Sequence, residues 1–208
     1  WTPMQIVETL DPLRNAVAAL RRDGPLALVP TMGALHEGHL TLVREAKRQA
    51  AHVAVSIFVN PRQFGAGDDL SAYPCKLFNQ VRPDMALFGE KDWQQLAVIR
   101  RMARDLDLVL PMADNILAVP TVREADGLAM SSRNAYLTAQ ERANAVALPR
   151  GMREAIAKIL TGEPAAASLA VLKQQLLAAG FVSVDYAELR DADSIQPLAE
   201  AGSTPARL

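Results

Sequence analysis

The chain has 208 residues, half of them hydrophobic, and 22 basic against 23 acidic side chains leave a formal net charge of −1. That length suits one large or two small soluble domains with a sizeable core, and the even charge with 5% aromatic residues excludes both the basic surplus and the stacking platforms of a nucleic-acid binder. A single cysteine, Cys75, excludes an intrachain disulfide, and without an apolar run near the ~20 residues of a membrane span, or a signal-peptide layout at the start, the expectation is a cytoplasmic protein with no membrane or nucleic-acid partner.

In chain order, Pro25 to Val29 reads as a buried strand between Gly24-Pro25 and Pro30. A turn with Gly33 and Gly38 follows, then a helix to about Ala50 whose face would carry Leu40, Val43, Ala46 and Lys47. His52 to Val59 is a second strand, ended by Asn60-Pro61. Lys76 to Gln80 looks helical, and Asp84 to Phe88 is a third strand stopped by Gly89. A helix from about Lys91 to Leu106 and a strand from Leu117 to Val122 complete this part. Short apolar strands alternating with helices predict a parallel sheet with helices on its faces. Beyond residue 122 the texture changes. Ala139 to Leu160 and Ala166 to Ala179 are alanine-rich helices, and Phe181 to Leu189 alternates like a half-buried strand. The expected fold class is therefore α/β: a Rossmann-like parallel-sheet domain over residues 1–121 and a smaller α+β domain over residues 122–208.

Four segments carry candidate chemistry. Pro30-Thr-Met-Gly-Ala-Leu-His36-Glu-Gly-His39 joins a predicted strand to a predicted helix. In an open parallel sheet ligands sit at that edge, and a helix start offers N–H groups to an anion. Gly38 would let a ligand approach the backbone, and His36 and His39 would either donate to phosphate oxygens or simply cap the helix. A zinc-protease site needs histidines four apart, and these are three apart, so no metal ligand is identified. Gly89-Glu-Lys91-Asp92-Trp-Gln-Gln95 again follows a strand; Lys91 suits a phosphate, although taken alone a charged helix start with Asp92 as its cap is the readier account. Met130-Ser131-Ser132-Arg133-Asn134 offers two hydroxyls and a guanidinium to a polyphosphate, or an ordinary serine cap. Asn60 and Gln63 would read a hydroxyl or carboxylate, or close a proline turn. P-loop, dinucleotide-fingerprint and nucleophile-elbow motifs are absent.

Together PTMGALHEGH, SIFVNPRQF, FGEKDWQQL and VREADGLAMSSRN resemble the pantothenate synthetase (pantoate–β-alanine ligase) family of HIGH-motif nucleotidylyltransferases. HEGH looks like the HIGH signature, and MSSRN looks like the partner phosphate loop with Arg133 in place of its usual lysine. The resemblance implies that Met32, Gly38, His36 and His39 line an ATP site, that Gly89, Lys91 and Asp92 contact the nucleotide, and that Ser131, Ser132 and Arg133 hold its phosphates. It implies pantoate contacts from Asn60, Gln63 and Gln95, with His36, His39, Lys91 and Arg133 as the catalytic set. It further implies ATP and Mg2+ as cofactors, pantoate and β-alanine as substrates, a pantoyl-adenylate intermediate, and a homodimer. One departure stands out. The family carries several dozen more residues between the counterparts of Leu70–Pro74 and Lys76–Gln80, so a segment is expected to be missing near residues 74–76. The end after Ala201 also looks shorter than the family pattern.

Overall fold

The computed structural model describes residues 4–58 and 72–208, in two compact units that meet in sequence at Thr121 and Val122. Among the described residues of the first unit, helix α1 (Leu10–Leu20) precedes strand β1 (Leu26–Thr31), helix α2 (Glu37–Gln49) and strand β2 (His52–Ile57). Helix α3 (Ala72–Val81), strand β3 (Met85–Gly89), helix α4 (Trp93–Asp105) and strand β4 (Ile116–Val119) follow. In this unit the described strands pair in parallel, in the order β2-β1-β3-β4. The predicted Rossmann-like sheet is present.

The pleat sorts alternate strand residues to opposite faces. Leu26, Leu28, Ala86, Phe88 and Ile116 pack with α1, α3 and α4 around Phe78, Leu96 and Ile99. Ala27, Val29, Leu87 and Val119 face Leu42 and Ala46 of α2. Both faces of the central strands are thus covered, as a parallel sheet requires. Asp84 sets the sheet's lower edge: its Oδ2 accepts from the Leu26 N–H at 2.8 Å and its Oδ1 pairs with Arg21 at 2.7 Å.

Several expectations need correction. Strand β1 continues through Pro30 to Thr31, paired with β2 throughout, while its ladder with β3 covers only Ala27 and Leu28. Helix α2 buries Leu42 and Ala46, while Leu40 is 43% exposed. Strand β4 ends at Val119, before Pro120. Helix α1 is an element beyond those expected, marked by Thr9, Pro12 in the first turn and the Leu13, Val17, Leu20 spacing. Helix α3 runs through residues 74–76, with Pro74 in its first turn where no N–H is needed.

In the second unit, helices α5 (Ala139–Ala145), α6 (Ala147–Leu160) and α7 (Ala165–Ala178) precede a two-stranded ladder of β5 (Arg190–Asp191) and β6 (Ala206–Arg207). The single long helix expected from residue 139 to 160 is two helices. Pro149 has no N–H to offer the Ala145 carbonyl, and the chain breaks at Val146. Residues 181–189 form no strand. Phe181, Val184, Ala187 and Leu189 pack on the α6–α7 core, a spacing near three rather than two, and Val182 is fully exposed.

Candidate functional site

Strand β1 sends its connection through α2 to β2 on one side, and β3 lies on the other side of β1. The crevice between the carboxyl ends of β1 and β3 is therefore the topological switch point, where open α/β sheets bind ligands. The turn leaving β1 is tight. Gly33 has φ 89° and Ala34 has φ 46°, both in the left-handed region, a strained arrangement typical of functional turns. Thr31 anchors its start, donating from Oγ1 to the Ser56 carbonyl at 2.7 Å. Met32 follows, half-buried.

His36 is the N-cap of α2. Its Nδ1 accepts from the Gly38 N–H at 3.1 Å, and Nδ1 of His39 accepts from the His36 N–H at 3.2 Å. Two orphan donors of the helix start are satisfied reciprocally, as in a capping box. This arrangement fixes both tautomers: with each Nδ1 accepting, each neutral imidazole carries its proton on Nε2. The ring centroids lie 4.1 Å apart, with the planes tilted by 45°. The capping and phosphate-donor readings of this pair are thus compatible, since one ring nitrogen serves each.

The electrostatics hold the pair neutral. Burial lowers the His36 pKa, and Lys91 lowers it further. Burial also lowers that of His39, with added repulsion from His36 and Lys91. Lys91, from the 3-10 turn Glu90–Asp92 after β3, is thereby close enough to both imidazoles to be felt. Gly38 owes its presence to the cap: a Cβ there would sit 2.8 Å from Cε1 and 2.9 Å from Nδ1 of His36.

Asp92 occupies the N-cap position of α4 but makes no side-chain cap bond; its Oδ1 instead accepts from Lys91 Nζ at 3.3 Å. The cap expected of Asp92 is corrected accordingly. Gln95 lies half-buried in the first turn of α4. Asn60 and Gln63 fall outside the described residues. Gly89 has an ordinary φ of −76°, and among the described residues no atom lies within 4 Å of the Cβ it lacks.

In the second unit, Ser131 is the N-cap of the 3-10 turn Ser132–Tyr136, its Oγ accepting from the Arg133 N–H at 3.2 Å. Ser132 and Arg133 are exposed. Asn134 turns inward and donates from Nδ2 to Glu124 Oε1 and to the Ala129 carbonyl, each at 3.1 Å. Sequence reading did not single out Glu124, Asp126 or Arg142, which brace this turn through Arg142 bonds of 2.7 Å to each carboxylate. Among the described residues no group of three or more histidine, cysteine or acidic side chains could hold a metal.

The chain is 51% identical to the pantothenate synthetase of Novosphingobium aromaticivorans, over 99% of this chain and 93% of that protein. It is 45% identical to the pantothenate synthetase of Sphingopyxis alaskensis, over 99% and 94%. These alignments extend over 266 positions, more than the 208 residues of the chain, so the relatives carry residues without counterpart here. The crystal structure of pantothenate synthetase from Thermus thermophilus superposes with a TM-score of 0.82 at 33% identity, covering 96% of this chain and 91% of that one. The profile of pantoate–β-alanine ligase matches residues 5–76 and again residues 75–208. With the histidine-capped switch point and the Ser-Ser-Arg turn in place, these matches establish that the chain belongs to the pantoate–β-alanine ligase family.

Proposed function

We propose that the neutral Nε2–H groups of His36 and His39, with Lys91 beside them, bind the ATP phosphates, and that Ser131, Ser132 and Arg133 are phosphate-binding residues of the second unit. The reaction is that of the family, the ATP-dependent condensation of pantoate with β-alanine. In the first step the pantoate carboxylate attacks the α-phosphorus and pyrophosphate leaves, giving pantoyl adenylate. In the second the β-alanine amine attacks the activated carbonyl; AMP leaves and the amine gives up a proton. Lys91, Arg133 and the imidazole donors would stabilise charge spreading over the phosphates, an electrostatic role that needs no covalent enzyme intermediate.

The observation carrying this reading is the pair of Nδ1-locked imidazoles at the switch point, since the lock leaves only Nε2–H donors for a ligand. Gly89 adds support, because neither strain nor, among the described residues, any neighbouring side chain requires glycine there; a nucleotide passing against the backbone would. Met32 and Asp92 would complete the nucleotide site, and Asn60, Gln63 and Gln95 would hold pantoate. Mg2+ would enter on the nucleotide phosphates, the usual way this ion is held. Within the same proposal the protein is a cytoplasmic homodimer, and the relatives' extra residues fall at positions 75–76, where the two profile matches meet. None of the described helices is long and apolar enough to cross a membrane.

Pantoate-dependent ATP–pyrophosphate exchange by this chain tests the first step, and β-alanine-dependent AMP release tests the second. Nucleotide transfer without AMP release on adding β-alanine would instead mark a plain nucleotidylyltransferase.

A further inference from the structure

The ion network behind the Ser131–Arg133 turn takes no part in the chemistry above. Arg142 stands on α5, and its Nη2 donates to Glu124 Oε2 and Asp126 Oδ2, both at 2.7 Å. Glu124 passes the connection on: its Oε1 accepts from the side-chain amide of Asn134, the residue directly after Arg133. Asp126 fixes the other arm, its Oδ1 accepting from the Leu128 N–H at 3.1 Å. One guanidinium therefore ties α5 to both arms of the loop leading into Met130 and to the far side of the turn.

Helix α5 does not need Arg142 to begin. Thr138 and Glu141 already form a reciprocal capping box there. Nor do ion pairs with side chains 28% to 38% exposed contribute much to global stability. What a single guanidinium nitrogen donating to two carboxylates supplies is orientation.

We propose that Arg142 is a positioning residue, which through Glu124 and Asn134 holds the Ser131-Ser132-Arg133 turn in the geometry that grips nucleotide phosphates. This rests on the phosphate-binding role proposed above for that turn.

The test is a double-mutant cycle in ATP–pyrophosphate exchange, reading KM for ATP and for pantoate with Arg142→Gln, Arg133→Gln and both. Arg142→Gln is expected to raise KM for ATP by ~10-fold, the scale of a sub-ångström misplacement, with KM for pantoate unchanged. In the Arg133→Gln background the same substitution should add less than ~2-fold, because residues acting as a unit are not additive. A general structural role would instead move both KM values and combine multiplicatively. Should Arg142→Gln fail to fold, Glu124→Gln, which leaves the Arg142–Asp126 pair intact, enters the same cycle with the same expectation. Multiplicative effects, or an unchanged KM for ATP in the single variant, overturn the positioning role alone. An unchanged KM for ATP in Arg133→Gln removes the phosphate role of the turn and the positioning role with it.

Discussion

The helix cap and the proposed phosphate donors use opposite nitrogens of the same rings, and Gly38 is the handle that separates them. A Cβ placed at 38 meets His36 Cε1 at 2.8 Å, where ordinary contact begins at 3.4 Å. The imidazole must retreat by about 0.6 Å, which stretches the 3.1 Å bond from the Gly38 N–H toward loss. Losing an N-cap bond costs ~1 kcal/mol, and alanine in place of glycine within a helix returns ~1 kcal/mol. Gly38→Ala should therefore melt within a few degrees of the parent while its donors sit misplaced. A shift approaching an ångström costs up to ~10²-fold in rate, so ATP–pyrophosphate exchange should fall between ~10-fold and ~10²-fold. His36→Asn is the complementary probe: asparagine is among the best N-caps, so stability should hold within ~1 kcal/mol, yet the Nε2–H donor is gone and exchange should fall comparably. Thermal melts paired with exchange rates decide the matter. A well-folded Gly38→Ala or His36→Asn protein exchanging at the parental rate would refute the assignment of one nitrogen to the cap and the other to phosphate.

Because the His36 and His39 pKa values are lowered from 6.5 in the folded state, the unfolded chain takes up protons first. Their contribution to stability is full above pH 6.5 and is lost as pH falls from there through the folded-state values, which urea midpoints measured across that range will show. Exchange should fail on the same acid side, since protonating Nδ1 breaks the cap. Lys91→Ala should cut exchange by at least ~10²-fold, and by removing a cation that depresses both histidines it should move the acid limb of the residual activity to higher pH; an unmoved limb would contradict the electrostatic link. Gly89→Ala should fold as well as the parent, because the added methyl meets no described atom within 4 Å, and should raise KM for ATP by ~10-fold, the scale of a misplaced contact. Parental nucleotide kinetics would remove Gly89 from the site.

The parts of the site legible in the sequence are those built by neighbours in the chain. Pro30 to His39 announces a strand, a glycine turn and a helix start in ten residues, and the structure keeps all three. Gly38 was legible as significant but for a different reason, since its constraint comes from a ring two residues away. What escaped notice depends on distant partners. Arg142 lies 16 and 18 residues from the carboxylates it bridges, and no periodicity marks such a pair. The apolar alternation of residues 181–189 gave a strand signal, but those side chains found helices α6 and α7 to pack on, and no ladder formed. Helix α1 carries ordinary helix signals, Thr9 before it, Pro12 in its first turn and an apolar face of Leu13, Val17 and Leu20.

Pro30 links the chain's most local feature to the shape of the crevice. Leu26 directs its N–H and carbonyl toward the β3 side, where they meet the Asp84 carboxylate and N–H, and Thr31 turns its carbonyl to Phe58 on the β2 side. In a parallel ladder alternate residues face alternate neighbours, so Pro30, like Leu26 and Leu28, faces β3. Its ring removes the donor that would continue that ladder, and pairing between β1 and β3 stops at Leu28 while β1 and β2 stay paired to Thr31. The proline thus keeps the carboxyl ends of β1 and β3 unpaired where the proposed ligand crevice lies. Pro30→Ala restores the N–H. The added hydrogen bond, worth ~1 kcal/mol, is offset by the ~1 kcal/mol that a freer unfolded chain costs, so the melting temperature is a poor readout. Hydrogen exchange is a good one. The amide introduced at position 30 should be protected to the degree of its neighbours in β1, and KM for ATP should rise as the crevice narrows. If that amide instead exchanges as freely as a loop amide, the proline is not what ends the ladder, and the opening of the switch point must be traced to the strained turn at Gly33 and Ala34.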